Sequence, residues 1–148
     1  MPNFYYYLFF ILLCFACKKT NSQKHQTENL LIRYTFDEGF TGVQRHHILA
    51  VSKEIAQKHE LADFAQILIL PKPEINKILQ TFDENAFKNI RTEHQLVADR
   101  GGVLIEVRYL NDNMRIIKAN SGESFVLKDD LAKFNRCKEI IEQYLKQY

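Results

Sequence analysis

The sequence contains no tryptophan. Sugar platforms built on indole rings are therefore excluded, and only the seven tyrosines could stand in for them. Charge of one sign is missing too, since 20 Lys and Arg face 18 Asp and Glu, a formal net charge of +2. Nucleic-acid recognition usually needs a basic domain with clustered Lys and Arg, so no nucleic acid is expected as a partner. Long apolar runs are absent: the longest, residues 4–16, falls short of the about 20 residues that cross a membrane as a helix. Cysteine is scarce. Cys14 and Cys17 lie in or beside that apolar segment, and Cys137 is then alone. Counting excludes an intramolecular disulfide in the rest of the chain. What remains after the segment, about 130 residues, is one domain able to bury roughly two-thirds of its unfolded surface.

Residues 4–16 are apolar or aromatic and uncharged, and Ala16-Cys17-Lys18-Lys19 follows. The length fits the apolar region of a secretory signal. A small residue before a cysteine at the end of such a run resembles the lipobox of bacterial lipoproteins. Cys14 stands where that motif usually has Leu, Phe15 is bulky, and the start carries no Lys or Arg. Loose lipoboxes followed by Lys are a feature of Bacteroidota-type lipoproteins, which this leader resembles. The resemblance implies a signal peptide over residues 1–16 and lipid on Cys17. Two or more acyl chains would then anchor the chain stably, at about 0.8 kcal/mol per buried methylene. The alternative is a short N-terminal anchor or core helix. Lys18-Lys19-Thr20 lacks the acidic run that resembles surface-export signals. A lipid-anchored cell-envelope protein, on the outer membrane and facing the periplasm, is the expectation.

Residues 18–29 hold no aliphatic or aromatic side chain, so 17–29 reads as the lipidated cysteine and a flexible tether. As a coil, the tether spans about 20 Å. Residues 30–148 read as a single α+β domain. Leu30, Ile32, Tyr34 and Phe36 share one face, with Arg33 and Thr35 among the residues on the other, which predicts a half-buried strand. Residues 43–51 and 64–70 read as further strands, with 52–63 ambiguous. Pro71 and Pro73 stop the third strand, and Ile75, Ile78, Leu79 and Phe82 predict a helix over 73–82. Residues 83–100 are charged and give no pattern. Val103 to Tyr109 and Met114 to Ala119 predict a hairpin turned at Asn111-Asp112-Asn113. A final helix over 128–147 carries Leu131, Phe134, Cys137, Ile141, Tyr144 and Leu145 on one stripe. The expected fold is a mainly antiparallel sheet of four to five strands, in ββ(β)α–ββα order, with two helices packed on one face.

No constellation identifies an enzyme, and no cofactor or metal is expected. His46 and His47 invite a metal reading, but adjacent strand residues point to opposite faces. Gly101-Gly102 precedes a strand rather than a helix, so it is not a phosphate cradle. Ser121, in Asn-Ser-Gly-Glu, is not a nucleophile elbow. The most distinctive internal feature is Gly39-Phe40-Thr41-Gly42. It reads either as a hairpin turn with a packed Phe or as an exposed aromatic loop that touches a partner.

The element order and the Gly-Phe-Thr-Gly turn are similar to small Bacteroidota-type lipoproteins. More faintly, they resemble emfourin-type inhibitors of thermolysin-like metalloproteases. That resemblance implies that Phe40 and its turn face a protease, and it carries over no catalytic residue. Two expectations follow. One is a non-catalytic, membrane-anchored domain that binds an envelope protein, a peptidase if the last resemblance holds, through Gly39, Phe40, Thr41 and Gly42. The other is a small periplasmic hydrolase or ligand-binding protein using Asp37, Glu38, His46 and His47.

Overall fold

The computed structural model describes residues 27–95 and 100–147. Cys17, the expected signal peptide and most of the expected tether lie outside the described residues. The packed unit begins before Leu30. Thr27–Asn29 form a 3-10 turn, Thr27 is fully buried, and Glu28 pairs with Lys72 at 2.6 Å. Thr27, within the stretch read as a tether, thus packs into the described unit.

The fold is α+β. Its main sheet takes β1 (Leu30–Asp37), β2 (Gln44–Ala50), β3 (Ala65–Ile69), β5 (Gly102–Tyr109) and β6 (Met114–Asn120), in the order β3-β2-β1-β5-β6. All pairings are antiparallel except β2 with β3. That exception follows from residues 51–64, which hold the short helix α1 (Lys53–Ala56) and carry the chain back to the far end of the sheet. Ser52 caps α1, its hydroxyl accepting from the Ile55 N–H at 3.3 Å. A second, two-stranded sheet joins β4 (Thr92–His94) to β7 (Ser124–Val126).

The two long helices, α2 (Lys72–Glu84) and α3 (Leu131–Leu145), pack on one face of the main sheet. α2 begins where Pro71 and Pro73 supply backbone angles suited to a first turn. It buries Ile75, Ile78, Leu79 and Phe82 at helical spacing. α3 buries Phe134, Cys137, Ile140, Ile141 and Tyr144, and a 3-10 turn, Lys128–Asp130, leads into it. Opposite them, β1 contributes Leu30, Ile32 and Tyr34, and β5 contributes Ile105 and Val107. Each such side chain stabilises the fold by roughly 1.5–3 kcal/mol relative to exposure. Polar tips tie the layers together: the Tyr34 hydroxyl donates to Glu142 at 2.6 Å, and the Tyr144 hydroxyl donates to Glu74. Burial and that glutamate push the Tyr144 phenol up to about 12.

The other face of the sheet is covered only in part. Near Leu30, the short α1 packs Ile55 and Ala56 on Leu31, Ile48 and Ala50. Towards Asp37 the same face is polar, and there it forms the site described next.

Candidate binding site on the open sheet face

The β1–β2 turn is a closed unit. The Glu38 N–H donates to Val43 O at 3.0 Å, and the Gly42 N–H donates to Gly39 O at 2.8 Å. Asp37 Oδ1 accepts the Gly39 N–H at 2.8 Å, and its Oδ2 accepts Gln44 Nε2 at 3.2 Å. Gly42 sits at φ 66°, a left-handed conformation that glycine adopts without strain. The tip, Gly39–Thr41, is a single 3-10 turn, and Phe40 on it is 89% exposed. A packed Phe in this turn is therefore not what the structure shows. Phe64, 79% exposed, lies at the same end of the sheet, because the next residue, Ala65, pairs with His46.

The four residues expected to form an acid–base group divide between two faces. Cross-strand register sets Thr35 against His46 and Tyr34 against His47. His46 therefore faces the open side, where its Nδ1 lies 3.0 Å from Thr35 Oγ1. His47 faces the helix side, 6.2 Å from the Tyr34 ring, with its buried Nδ1 unpartnered among the described residues. Glu38 turns away to Arg45, at 2.6 Å. Asp37 and His46 remain together, bordering one cavity of about 250 Å³. The strand alternation that sets this division also keeps the adjacent histidines from sharing one ion. Among the described residues, no group of three or more His, Cys, Asp or Glu side chains is placed to hold a metal ion.

The cavity lies on β1, β2, β5 and β6. Arg33, Thr35, Gln44 and Ser121 supply polar lining, and Leu61, Leu104 and Ala119 supply apolar wall. Burial lowers His46 below the ordinary imidazole value, and the positive charge of Arg33 adds to this. Its ring is accordingly uncharged at neutral pH, and the Thr35–His46 pair is a neutral hydrogen-bonding unit.

Next to the cavity, and sharing Arg33 with it, lies a charge cluster centred on Glu106, which has no exposed surface. Arg33 is its cross-strand partner on β1. Arg115 Nε donates to Glu106 Oε1 at 2.6 Å, and His59 Nε2 lies 3.4 Å from Oε2. His59 Nδ1 accepts the Leu61 N–H at 3.1 Å, which puts the ring proton on Nε2, facing the carboxylate. Arg108 and Arg115 also reach Glu60, at 2.6 Å and 3.5 Å. Among the described residues, three guanidiniums thus meet two carboxylates, a net positive charge within the cluster. Burial works to raise the Glu106 carboxyl, but hydrogen bonds from His59 and Arg115 and the charges of Arg33 and Arg115 outweigh it, holding the group at about 2.

Arg33 is the functional candidate that sequence reasoning missed. Its side chain is only 13% exposed. Its Nε lies 2.9 Å from Glu106 Oε2, but off the line of its own N–H, so this buried donor has no aligned hydrogen bond. An arginine on the polar side of an alternating strand was the available signal. Its meaning depended on β5, which is far away in sequence.

Cys137 is fully buried in the helix-side core, where burial pushes its thiol up to about 12. It packs as a small hydrophobe. Gly101 and Gly102 are there for space: a Cβ on Gly102 would lie 2.0 Å from Asn120 O. Ser121 borders the cavity from a tight turn in which its N–H donates to Ser124 O at 2.9 Å.

Fold and site together define a small α+β domain with one helix-covered sheet face, one partly open face and an aromatic-tipped hairpin at the edge of the opening. No family model, no curated protein and no solved structure matches this chain.

Proposed function

We propose that this chain is a lipid-tethered, non-catalytic domain of the bacterial cell envelope that binds another protein through its Gly39–Gly42 hairpin. The observation that carries this reading is Phe40, an almost fully exposed ring on a turn held by its own hydrogen bonds. A large aromatic group on a rigid mount loses little conformational entropy on docking, and such residues often dominate binding energy. Phe64 and the half-exposed Val43 extend the apolar surface at the same end of the sheet. The likeness to metalloprotease inhibitors makes a peptidase the first partner to seek.

Affinity capture from membranes of the source cells, with mass spectrometry, tests the reading. Phe40→Ala should reduce a captured partner by about thirtyfold in affinity, as expected for an anchor worth about 2 kcal/mol. Its folding stability should stay within about 0.5 kcal/mol of the parent, as for an exposed position. Equal recovery of every partner by the variant would remove the hairpin from the interface. The anchor is tested separately. Cys17→Ser should abolish acyl mass and release the protein from membranes; an unprocessed leader still retained there would mean a plain signal anchor.

One observation favours a second reading, a small-ligand carrier. Asp37 and His46, two of the four residues expected for that role, border the same cavity.

A further inference from the structure

We infer that the cavity above Arg33 binds a small monocarboxylate with a short apolar body, the carboxylate lying on the Arg33 guanidinium. This deepens the ligand-carrier reading and rests on it, and it does not depend on what the hairpin grips. The first argument is the state of Arg33. Guanidinium groups carry five N–H donors, and buried ones are normally satisfied by carboxylates or carbonyls. Arg33 is nearly buried and borders a cavity, and its buried Nε has the 2.9 Å ion pair to Glu106 but no aligned hydrogen bond among the described residues. A guanidinium that borders a cavity with a buried donor left unaligned is a group that a carboxylate completes, with two parallel bonds.

The second argument is charge. Glu106 is shared between Arg33, Arg115 and His59, and the cluster has more guanidiniums than carboxylates. A bound monoanion would supply the missing negative charge. Asp37 is the acidic group on the cavity, but both of its oxygens already accept hydrogen bonds, from Gly39 and Gln44. It also stands four residues from Arg33 along β1, about 13 Å at 3.3 Å per residue, so its repulsion at the guanidinium is weak. The same carboxylate disfavours a dianion such as phosphate filling the whole cavity.

The third argument is the lining. Thr35 and His46 share one hydrogen bond. In either neutral tautomer of the ring, one hydrogen of the pair stays free, on the hydroxyl or on Nε2, to bind an oxygen. Leu61, Leu104 and Ala119 provide an apolar wall for a hydrocarbon body. The volume, about 250 Å³, lies below the range of sites for drug-sized ligands and suits a few heavy atoms.

The test is a titration of the full-length, ¹⁵N-labelled protein followed by NMR. Its three probes share a carbon skeleton: butyrate, butyramide and butylammonium. Butyrate has few atoms, so the expected dissociation constant is about 1 mM or weaker. Butyrate should shift the Arg33 Nε–H and the Thr35 and His46 amides saturably, and the other two probes should not. Arg33→Gln should weaken binding by about tenfold or more. Because Arg33 also faces Glu106, Ala119→Leu provides a second variant, which fills the cavity without touching that pair; it should abolish binding while keeping a native spectrum. A tripeptide acid compared with its amide identifies the source. Binding of the peptide acid points to a polypeptide terminus, and binding of butyrate alone points to a small free acid; both keep the carboxylate assignment. Tight binding of butyramide or butylammonium would overturn the assignment but leave a ligand site. Binding of none of the probes would overturn both, and unchanged butyrate binding in Arg33→Gln or Ala119→Leu would remove the site from this cavity.

Discussion

Glu106→Gln isolates the charge at the centre of the sheet face while keeping its shape. The native carboxyl is held at about 2 against an ordinary value of 4.5. At about 1.4 kcal/mol per unit, that difference is worth roughly 3 kcal/mol of folding stability. The folded value lies below the unfolded one, so the contribution is complete above pH 4.5. It is lost as the pH falls through the folded value, about 2. Glutamine still offers an oxygen to Arg115 and His59, but it leaves Arg33 and Arg115 without their shared counter-charge. The variant should therefore be less stable by roughly 3 kcal/mol at pH 7, within the range for breaking buried ion pairs. Between pH 7 and pH 3 the gap should narrow by about 2 kcal/mol, because the parent loses stabilisation that the variant never had. Urea unfolding of both proteins at the two pH values measures this directly, and other carboxylates cancel in the difference. A gap under about 1 kcal/mol at pH 7, or one that is equal at pH 3, would refute the electrostatic account.

Two glycine substitutions should separate steric from conformational cost. Gly102→Ala places a Cβ 2.0 Å from Asn120 O, so β6 must retreat, and a loss of more than about 3 kcal/mol, or failure to fold, is expected. Gly42→Ala meets nothing within 4 Å and should cost about 1 kcal/mol from its positive φ alone. Thermal unfolding ranks the two, and the reverse order would contradict the packing described. Cys137 should resist iodoacetamide in the native protein at pH 8 and react once urea is added, as read by peptide mass spectrometry. Rapid native labelling would show that α3 does not stay packed.

Much of the fold was legible because apolar periodicity decides it. Leu30, Ile32 and Tyr34 mark β1, and Ile75, Ile78, Leu79 and Phe82 mark α2, by spacing alone. The turn at Asn111-Asp112-Asn113 was legible from residue type, and Asn113 indeed takes φ 49°. Elements without apolar periodicity were not legible. Thr92–His94 is exposed along its length and exists as a strand because its backbone pairs with Ser124–Val126. α1 is one turn long, set by Ser52 and by Ile55 and Ala56 packing on β1 and β2. The direction of β3 could not be read, since it depends on the path of the preceding crossover. Of the site, alternation alone separates His46 from His47. The Arg33–Glu106 contact needs the β1–β5 register, which no local pattern encodes.

β1 has a mechanical consequence. The described chain enters it from the turn at Thr27, and Phe40 lies just beyond its other end, so eight residues, about 26 Å of strand, separate entry from tip. A force applied between these two points runs along the axis of a strand bonded on both sides, to β2 and to β5. Both ladders then resist in shear, and all their hydrogen bonds share the load instead of opening one after another. A partner held at the hairpin and a pull from the N-terminal side would tension the strongest direction of the sheet.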